Sequence, residues 1–565
     1  MKLCAATLIS WLLFVCAAHA ACLDDGEYFA PLYTDKALFS AAIEKAGAVQ
    51  PSTVRLGGVT VPHHLLAGHL VAGGIRLASA HRYDRVILLS PDHFHRTKRP
   101  FATAAHGFDT VFGPVEADGE AISALMATTA SVEESCLFER EHGVHALLPF
   151  VKHYLPGARI VPVAISIRSS RAEWEELVRA LTPLMSENTL VLQSTDFSHY
   201  LPHHEARLRD QQTLNVLASG SLDGLAAMRQ PDHMDSMGAM YVQMALQARV
   251  NHAAPDVLAN ENSAQYVDRF VAETTSYMVI RFGGEAAESQ GMGRASWDYV
   301  FAGDTFFGRT MPGLLVDELA ARRVEDAVLA ETHGRPMIVN LEGVLLPDMP
   351  AGLEHMVLAI PSGLAADWLK RLNVVAVGLA NNHAMDIGPS GYAETVTALK
   401  AAGIPYAGQG EAIDLPGLAV VALSDLDTNA SRKTNLLTPE LLDRLVLPDA
   451  WKPVVSFVHW GREYVGDPGL RERELAGEMR RRGVAAIIGA HPHVASEGIE
   501  TLGGDTALVY SLGNFLFDQD GDKSSGALVH LRAFEQGTLF VRRQPLPNLF
   551  DLARGQQELP KAGSR

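Results

Sequence analysis

Two histidines follow an apolar run in IIGAHPHV, residues 487–494 of this 565-residue chain. The run predicts a buried strand, and His491 and His493 come directly after it. Side chains two residues apart share one face of an extended segment, so we expect both imidazoles to face one site. Neutral imidazole binds divalent transition metals, and the stretch therefore predicts a metal site at a strand end. The alternative is a polar loop that happens to contain histidine.

Five other apolar runs in the second half end in polar side chains of this kind. Asp304 follows DYVFAG, Glu342 follows PMIVNL, Asn381, Asn382 and His383 follow VVAVGLA, His459 follows VVSFV, and Asn514 follows ALVYSLG. Ligands bind outside the carboxyl ends of strands in open α/β sheets, so the set predicts one shared rim. Carboxylate, amide and imidazole groups there favour two metals with a bridging carboxylate, which suits phosphoester hydrolysis. For each residue taken alone, a turn or capping role is the alternative.

The first half of the chain repeats the pattern. His63 follows VRLGGVTVP, His93 follows RVILLSPD, His142 lies in REHGVHALLPF, and Asp196 and His199 lie in TLVLQSTDFSHY. These side chains again cluster at predicted strand ends, which indicates a second site. A solvated histidine-rich loop region is the alternative.

Composition describes a globular protein of more than one domain. Hydrophobic residues make up 47% and charged residues 20%, and the formal net charge is −18. The chain is too long for one ordinary core, and its acidity argues against nucleic acid as a partner. An acidic protein can still bind an anionic substrate where bound metal ions reverse the local field.

A small-residue stretch, GGEAAESQGMGRAS, divides the chain into two halves that both read as α/β domains. Helical patterns such as AEWEELVRALTPLM and GYAETVTALKAAG alternate with short apolar runs, and the second pattern ends at a glycine typical of a helix C-terminus. The predicted organisation is a signal peptide 1–20, an extension 21–52, a first domain 53–282, a linker 283–296, a second domain 297–550 and a polar tail 551–565.

The N-terminus, MKLCAATLISWLLFVCAAHAAC, has the pattern of an export signal. Ala18-His19-Ala20 fits a cleavage site, which predicts a secreted or periplasmic protein cleaved near Ala20. The alternatives are a retained N-terminal membrane anchor and lipidation of Cys22. Cleavage leaves only Cys22 and Cys136, which could pair in an oxidising compartment.

Six second-half motifs resemble the CapA family. They are GDTFFGR, NLEGVL, ANNHAMDIGPSGYAETVTALKAAGIPYAGQG, VHWGREY, GAHPHV and YSLGNFLFD, in that order, within residues 297–530. The resemblance implies capsule or poly-γ-glutamate synthesis and a four-layer αββα fold similar to calcineurin-like metallophosphoesterases. It also implies a two-metal site, at whose motif positions stand Asp304, Glu342, Asn382, His383, His459, His491 and His493. The sequence departs from the usual Asp-x-His opening, because Thr305 and Phe306 follow Asp304.

First-half motifs resemble the Memo family, called AmmeMemoRadiSam system protein B in bacteria. PHHLLAG, SPDHF, EHGVHALLPF and STDFSHY occur in order within residues 53–282. The resemblance implies an α/β fold similar to extradiol dioxygenases. It implies metal-ligand positions at His63 and His93, with His142, Asp196 and His199 lining the same cleft.

Asp235 stands where animal members of the Memo family have a third, cysteine ligand. Two histidines and one carboxylate form the facial triad of non-haem Fe(II) oxygenases, so the substitution predicts one iron. An alignment shifted by one residue would place Ser236 there instead. The alternative for Asp235 is a cap on the helix that follows it.

These observations predict a secreted metal-dependent hydrolase acting on a phosphoester or a cell-envelope polymer. The second domain would hold up to two Mn, Fe or Zn ions, with Asp304 and His383 as catalytic residues and His383 as the general acid. Asn381 and Asn514 would line its substrate pocket. One alternative is a non-catalytic accessory factor in capsule or poly-γ-glutamate synthesis or export. Another is a non-haem-iron oxygenase activity in the first domain.

Overall fold

The computed structural model describes residues 28–284, 292–426, 437–444, 452–521 and 524–556. The predicted signal peptide with Cys22, the middle of the predicted linker and most of the predicted polar tail lie outside these ranges. Cys136 is disulfide-bonded, and the other three cysteines of the chain lie outside the described residues. None of the described helices is both long and apolar enough to cross a bilayer.

The first half alternates strands and helices, as the sequence predicts. Its strands are β1 (Tyr28–Phe29), β2 (Gly58–Val61), β3 (Arg85–Pro91), β4 (Phe101–Thr103), β5 (Gly107–Phe108), β6 (Val132–Glu134), β7 (Arg159–Ile165), β8 (Thr189–Ser194), β9 (Phe197–Leu201), β10 (Pro255–Asn262) and β11 (Thr274–Phe282). Its helices are α1 (Lys36–Lys45), α2 (Gly68–Arg76), α3 (Gly119–Thr128), α4 (His142–His145), α5 (Leu148–Tyr154), α6 (Arg171–Leu181), α7 (His203–Ser219), α8 (Leu222–Ala226) and α9 (Met237–Leu246).

A nine-stranded mixed sheet forms the centre of the first domain. The strand order is β10-β11-β2-β8-β3-β7-β4-β6, and β9 pairs with β11. The central strands β2, β8, β3 and β7 are parallel, and their continuous apolar runs are buried as such strands require. Helices cover both faces of the sheet and enclose two hydrophobic cores. Helix α1 lies within the predicted extension 21–52 and contributes Phe39 to one of these cores.

The second half has the same alternation. Its strands are β12 (Ser296–Thr305), β13 (Met337–Leu341), β14 (Val344–Leu346), β15 (Ala359–Pro361), β16 (Val374–Gly378), β17 (Tyr406–Ala407), β18 (Ala412–Leu415), β19 (Leu418–Ser424), β20 (Val454–His459), β21 (Val484–Ala490), β22 (Glu500–Leu502), β23 (Thr506–Val509), β24 (Gly526–Phe534) and β25 (Leu539–Leu546). Its helices are α10 (Met311–Leu315), α11 (Glu318–Thr332), α12 (Ser362–Arg371), α13 (Gly388–Ala402), α14 (Pro439–Asp443), α15 (Leu470–Arg481) and α16 (Leu549–Ala553). Gly403 follows α13 in the left-handed conformation, which confirms the predicted glycine terminus.

Two six-stranded sheets form the second domain. Their strand orders are β17-β16-β13-β12-β24-β25 and β18-β19-β20-β21-β23-β22. One core lies between the sheets, where Phe301 of the first contacts Phe457 of the second. Two further cores lie on the outer faces, against α11, α12 and α16 on one side and α14 and α15 on the other. The α/β class and the two-domain organisation predicted from the sequence are confirmed.

The hairpin between β24 and β25 joins the two domains. Phe534 and Phe540 flank its turn and are buried in a core of the first domain. Inside the turn, Gln536 Nε2 donates to Asp210 Oδ2 at 3.2 Å, and the backbone N–H of Leu539 donates to Gln211 Oε1 at 2.9 Å. The two domains therefore share apolar packing and buried hydrogen bonds.

Candidate metal centres

The carboxyl ends of strands from both sheets of the second domain meet at one edge. Asp304 lies in β12 and Glu342 follows β13 in the first sheet, whereas His459 ends β20 and His491 and His493 follow β21 in the second. We call these five residues the C-terminal pocket. All five are buried, so the structure brings together residues that are up to 189 positions apart in sequence.

Glu342 lies at the centre of the C-terminal pocket. One ligand atom each from Glu342, His459 and His491 lie within 4.8 Å of one another, and the same holds for Asp304, Glu342 and His493. His459 Nε2 lies 3.0 Å from Glu342 Oε1, yet neither carboxylate oxygen has a hydrogen-bond partner within the described ranges. Burying a carboxylate in this way is costly unless a cation binds it.

His491 and His493 reach the C-terminal pocket through an irregular backbone. Strand β21 ends at Ala490, and φ is 95° at His491 and 59° at His493. The extended backbone assumed for this stretch is therefore wrong, although both imidazoles reach one pocket as expected. The turn instead separates the ring centroids by 6.0 Å and places each imidazole in a different three-residue cluster. Left-handed backbone at two non-glycine residues is strained, which is typical of functional sites.

Asp304 is held by hydrogen bonds to three different segments. Its Oδ2 accepts from the backbone N–H of His491 at 3.0 Å, and its Oδ1 accepts from Asn340 Nδ2 at 2.9 Å. Its own backbone N–H donates to Gly513 O at 2.9 Å. This approach requires glycine at the preceding position, because a Cβ at Gly303 would lie 1.9 Å from the same oxygen. Burial, and then the charge of Glu342, raise the pKa of Asp304 to about 6.

Asparagine side chains fix the orientation of His459 and His493. Asn340 Nδ2 donates to His459 Nδ1 at 3.1 Å, and Asn382 Oδ1 lies 2.8 Å from His459 Nε2. Asn514 Oδ1 accepts from His493 Nδ1 at 2.7 Å, which leaves the Nε2 lone pair of His493 available to a cation. The predicted metal ligand Asn382 thus lies beside His459, and Asn514 contacts His493 directly.

Asn381, predicted to line the substrate pocket, is hydrogen-bonded within the fold beside the C-terminal pocket. It is buried, and its Nδ2 donates to Leu341 O at 2.8 Å and to Asn340 Oδ1 at 3.2 Å. Its Oδ1 accepts from the backbone N–H of His383 at 3.1 Å. These bonds connect Asn340 to the loop that carries His383.

His383 lies beside the C-terminal pocket and is paired with Asp386. Its Nδ1 donates to Asp386 Oδ2 at 2.8 Å, which turns Nε2 away from Asp386. Burial lowers the pKa of His383, but Asp386 and then the charge of Glu342 outweigh burial and raise it. With 14% of its side chain exposed, His383 can hold a proton at Nε2 near neutral pH and still meet a substrate.

Strand ends of the first domain form a second cluster. His63 follows β2, His93 follows β3 and His142 begins α4, and one ring nitrogen from each lies within 4.8 Å of the other two. Asp235 Oδ2 lies 3.3 Å from His63 Nε2 and 3.7 Å from His93 Nε2. We call these four residues the N-terminal pocket. His142, predicted to line the cleft, thus belongs to the same cluster as the two ligand histidines.

Acceptors behind two of these imidazoles fix which nitrogen is free. His93 Nδ1 lies 2.5 Å from Glu141 Oε1, and His63 Nδ1 lies 3.0 Å from Ser194 Oγ, whose own proton goes to Gly143 O. Both Nδ1 atoms therefore carry a proton, and both Nε2 atoms face Asp235. Metal-binding histidines in proteins are commonly oriented by such acceptors.

Asp235 is not the cap of the helix that follows it. Helix α9 begins at Met237, and its N-cap is Ser236, whose Oγ accepts from the backbone N–H of Ala239 at 3.2 Å. Asp235 Oδ1 is buried without a hydrogen-bond partner in the described part of the chain. The capping interpretation of Asp235 is therefore wrong, and Ser236 supplies the cap.

The remaining predicted residues of the first domain surround the N-terminal pocket. Asp196 Oδ1 accepts from the backbone N–H of His63 at 3.0 Å, and burial and then Asp235 raise the pKa of Asp196 to about 8. Burial lowers the pKa of His199, and its ring interacts electrostatically with Asp235 and His93. For His93 burial also lowers the pKa, but hydrogen bonds to Asp235 and Glu141 outweigh it and raise the pKa to about 10. The carboxylates of Asp235 and Glu141 beside His93 thus favour positive charge in this pocket.

Four residues that orient the pocket side chains escaped the sequence interpretation. They are Glu141, Ser194, Asn340 and Asp386. Each had a weak signal in the sequence. Glu141 directly precedes His142 and Asp386 follows His383 by three residues, while Ser194 and Asn340 are polar residues in or at the end of apolar runs. Such signals are common in turns and strands, so they single out nothing without the tertiary structure.

The fold and the two clusters define a two-domain α/β protein with a metal-competent pocket in each domain. Residues 34–277 match the family described as Memo-like protein. Residues 298–421 and 449–519 match the family described as bacterial capsule synthesis protein PGA_cap. The chain therefore joins a Memo domain to a CapA-like domain, as the motifs indicated.

Curated relatives match one half of the chain or the other. The PGA biosynthesis protein CapA of Bacillus subtilis is 33% identical over 30% of this chain and 50% of its own length. The capsule biosynthesis protein CapA of Bacillus anthracis is 31% identical over 32% of this chain and 49% of its own length. A MEMO1 family protein of Pyrobaculum arsenaticum is 31% identical over 30% of this chain and 62% of its own length. The chain thus spans about half to three fifths of these relatives.

Solved structures align with less than half of the chain. The crystal structure of a hypothetical protein from Thermus thermophilus covers 44% of this chain and 100% of its own length. The identity is 16% and the TM-score is 0.28, so this likeness carries no argument about fold or function.

Proposed function

We propose that the second domain is a metal-dependent hydrolase acting on a phosphoester or on a bond of a cell-envelope polymer. The observation that carries the proposal is Glu342, whose two buried and unpartnered carboxylate oxygens belong to both three-residue clusters. A carboxylate shared in this way suits a pair of divalent cations a few ångströms apart.

The donor set of the C-terminal pocket fits transition metals such as Mn, Fe or Zn. Two carboxylates and three imidazoles supply oxygen and nitrogen ligands, and the Nε2 of His493 and the Nδ1 of His491 are free to bind. When bound, divalent metals lower the pKa of water and stabilise the charge that develops on a phosphoryl or carbonyl oxygen. Asp304 and Glu342 would hold the cations, and Asn382 could add its amide oxygen.

His383 would act as the general acid of this reaction. Its Nδ1–H bond to Asp386 fixes the ring, so that a second proton is held at Nε2. Because Asp386 and Glu342 raise its pKa, a protonated imidazole is present near neutral pH. From that nitrogen His383 would donate a proton to the oxygen of the leaving group.

The fold-level assignments follow the same proposal. We assign the second domain to the four-layer metallophosphoesterase-like fold, which its two stacked sheets flanked by helices support. We assign the first domain to the fold similar to extradiol dioxygenases. Its mixed sheet, with helices packed on both faces, is compatible with that assignment.

Two further features support a role as an exported protein in capsule or poly-γ-glutamate synthesis. The CapA relatives are named for that biosynthesis, and the disulfide at Cys136 is typical of an oxidising compartment. The protein would be secreted or periplasmic after cleavage near Ala20, and an envelope polymer or a small phosphoester would be its substrate. N-terminal sequencing of the protein from its host should give a first residue near Ala21, whereas an intact Met1 in the cytoplasm would contradict export.

The test uses the full-length protein purified without chelators. Metal content by mass spectrometry and hydrolysis of a generic aryl phosphodiester are measured for the wild type and for Glu342→Gln. We expect the variant to lose at least one metal equivalent and nearly all hydrolysis, because a neutral amide is a poorer ligand for a divalent cation. Lys452→Ala is the control, since it removes a surface ion pair with Asp414 and a hydrogen bond to Leu415 O, both away from the C-terminal pocket.

The outcomes separate hydrolysis from the accessory role. If the Glu342→Gln variant kept its full metal content, the proposed C-terminal metal site would be wrong. A wild type that binds metal at this site but hydrolyses no ester or amide would instead favour a non-catalytic accessory factor in polymer synthesis or export.

A second candidate function rests on Asp235 in the N-terminal pocket. Its carboxylate faces the Nε2 atoms of His63 and His93, which supports a two-histidine, one-carboxylate iron site of the oxygenase type. His142 could take a further position on the same ion. Anaerobic Fe(II) titration of the full-length protein, followed by an oxygen-uptake assay, tests this function, and a site that takes up no iron would contradict it.

A further inference from the structure

Arg309 lies beside the C-terminal pocket, on the loop that continues strand β12 beyond Asp304. Its Cζ atom lies 5.6 Å from the centre of the Phe517 ring, and the ring centroids of Phe517 and His493 are 4.8 Å apart. Arg309 and a proposed metal ligand therefore contact the same aromatic ring. The guanidinium is outside both three-residue clusters, so it borders the pocket without belonging to the ligand set.

Two aromatic rings and one carboxylate hold the Arg309 guanidinium in place. Its Cζ atom also lies 4.9 Å from the centre of the Phe306 ring, whose centroid is 5.3 Å from that of Phe517. Asp518 Oδ1 accepts from Arg309 Nη2, and Asp518 Oδ2 accepts from Thr310 Oγ1 at 3.1 Å. The Asp518 side chain is only 6% exposed, so the carboxylate supports the guanidinium from the protein side. A planar guanidinium held in this way has few orientations left for its remaining N–H groups.

The ion pair with Asp518 leaves donors of Arg309 unused. A guanidinium has more N–H groups than one carboxylate oxygen can accept from. Nη1 lies 3.5 Å from Nε2 of the exposed His355, which is at the limit of a hydrogen bond, and Nε has no hydrogen-bond partner in the described part of the chain. Because 21% of the Arg309 side chain is exposed, its outer N–H groups can meet a ligand in the mouth of the pocket.

The backbone at Arg309 is strained. Its φ is 48°, in the left-handed region that residues other than glycine rarely adopt. The preceding position requires glycine, because a Cβ at Gly308 would lie 2.2 Å from Ala359 O. Strained residues of this kind cluster at active sites and ligand clamps. The strain at Arg309 therefore favours a functional role over a purely structural one.

Charges of both signs act on the mouth of the pocket. The Tyr464 ring centroid lies 6.3 Å from that of His493. Burial, and then the charge of Glu463, raise the pKa of Tyr464, whereas the charge of Arg309 acts to lower it. The exposed Glu463 also contributes to the raised pKa of His383. A negatively charged substituent of a substrate would therefore be stabilised next to Arg309 and repelled next to Glu463, which favours one orientation in the pocket.

We propose that Arg309 is a specificity-determining residue of the second domain, and that its guanidinium binds a negatively charged group of the substrate beside the bond that is cut. This inference rests on the function proposed for the domain, and it narrows the substrate to one with a further anionic group, such as a carboxylate or a phosphate. A charged acceptor forms a stronger hydrogen bond with a guanidinium than a neutral acceptor does. In the competing explanation, Arg309 only ties its loop to Asp518, and the charge of the substrate makes no difference.

The test compares two nitrophenyl phosphodiesters that differ only in charge. The second ester arm ends in a carboxylate in one substrate and in the corresponding primary amide in the other, and arms of several lengths are made. For the full-length protein we expect kcat/KM to be about tenfold higher for the carboxylate at the best arm length, mainly through a lower KM. In Arg309→Gln the two substrates should have equal kcat/KM, because the variant has no cation to distinguish them.

Arg554→Gln is the matched control. Arg554 also lies over an aromatic ring, 5.2 Å from the centre of Phe550, and pairs with Asp520 at 3.1 Å, but it follows helix α16 on the outer face of the domain. This variant should keep the preference for the carboxylate. Arg309→Lys retains the charge without the planar guanidinium and should keep part of the preference. Metal content and thermal unfolding show whether each variant is folded.

Calorimetric binding of the corresponding nitrobenzylphosphonates, which cannot release nitrophenol, gives a readout that needs no turnover. If the wild type hydrolyses both substrates equally well and binds both phosphonates equally at every arm length, the role of Arg309 is overturned while the hydrolase proposal stands. If neither substrate is hydrolysed, the hydrolase proposal fails. In that case, a carboxylate preference in phosphonate binding that Arg309→Gln abolishes would still support Arg309 as an anion-binding residue, and equal binding would overturn it.

Discussion

The two pockets use the same residue types but differ in the number of carboxylates. Three imidazoles face a single carboxylate in the N-terminal pocket, whereas two carboxylates and three imidazoles form the C-terminal pocket around Glu342. The N-terminal pocket is more open, with His142 34% and His93 19% exposed. One compact cluster suits a single ion with room for a small ligand, while two clusters sharing a carboxylate suit a pair of ions. The positions of the strand ends therefore do not determine how many metal ions a pocket can bind, because the backbone after each strand sets how far apart the ligands lie.

The largest effect expected is from His491→Ala in the C-terminal pocket. The change removes one member of the Glu342–His459–His491 cluster, so at least one metal equivalent should be lost. Hydrolysis of an aryl phosphodiester should fall by about three orders of magnitude or more, since the metal both generates the nucleophile and stabilises charge. Metal analysis of the full-length variant should show the N-terminal pocket unaffected. Loss of metal from both pockets would mean that they are not independent sites.

In the N-terminal pocket, Asp235→Ala and Ser236→Ala form a matched pair. Asp235→Ala should lower Fe(II) affinity by about 100-fold, because it removes the carboxylate that faces both Nε2 atoms. Ser236→Ala should leave iron binding intact and reduce the free energy of unfolding by about 1 kcal/mol through loss of the helix cap. Iron titration and thermal melting of both variants measure the two quantities. Equal iron affinity in both variants would mean that Asp235 is not a ligand and that only the three imidazoles of the N-terminal pocket bind iron.

Between the pockets, Asp210 predicts a pH dependence of stability. Burial raises its pKa from 3.8 to about 6, despite hydrogen bonds from Ser198 and Gln536. A carboxyl whose folded-state pKa is raised contributes stability below pH 4 that is lost as the pH rises through 6. Relative to Asp210→Asn, the wild type should thus lose roughly 3 kcal/mol of unfolding free energy between pH 4 and 7, at about 1.4 kcal/mol per pKa unit. Urea unfolding at both pH values measures this difference, and a constant difference would contradict the shift.

The smallest effect concerns Asp386→Asn, beside the C-terminal pocket. The neutral amide no longer raises the pKa of His383, so the high-pH limb of the hydrolysis profile should move to lower pH. The rate at neutral pH should fall by about tenfold, while metal content stays unchanged. A metal-depleted variant would show that Asp386 supports the ligands rather than the proton donor.

The sequence was sufficient to predict the α/β class, the two-domain order and which strand ends converge. Apolar runs such as PMIVNL and VVSFV are buried parallel strands, and parallel pairing aligns the carboxyl ends within each sheet. Glu342 and His459 meet because the two sheets stack with these ends at the same edge. The left-handed backbone at His491 and His493 could not be predicted from the sequence, because histidine gives no local signal for positive φ. Likewise, Asp235 and Ser236 are adjacent polar residues, and only the helix start separates the cap from the pocket.

The β24–β25 hairpin makes the folded state of each domain depend on the presence of the other. Phe534 and Phe540 belong by sequence to the second domain but are buried in the first. If the two halves were separated by proteolysis or expressed separately, both aromatic rings would be exposed to solvent. Asp210 would also lose its hydrogen bond from Gln536, so each half would expose surface that is buried in the intact chain. We therefore expect one cooperative melting transition for the intact chain, and rapid aggregation of the separated halves.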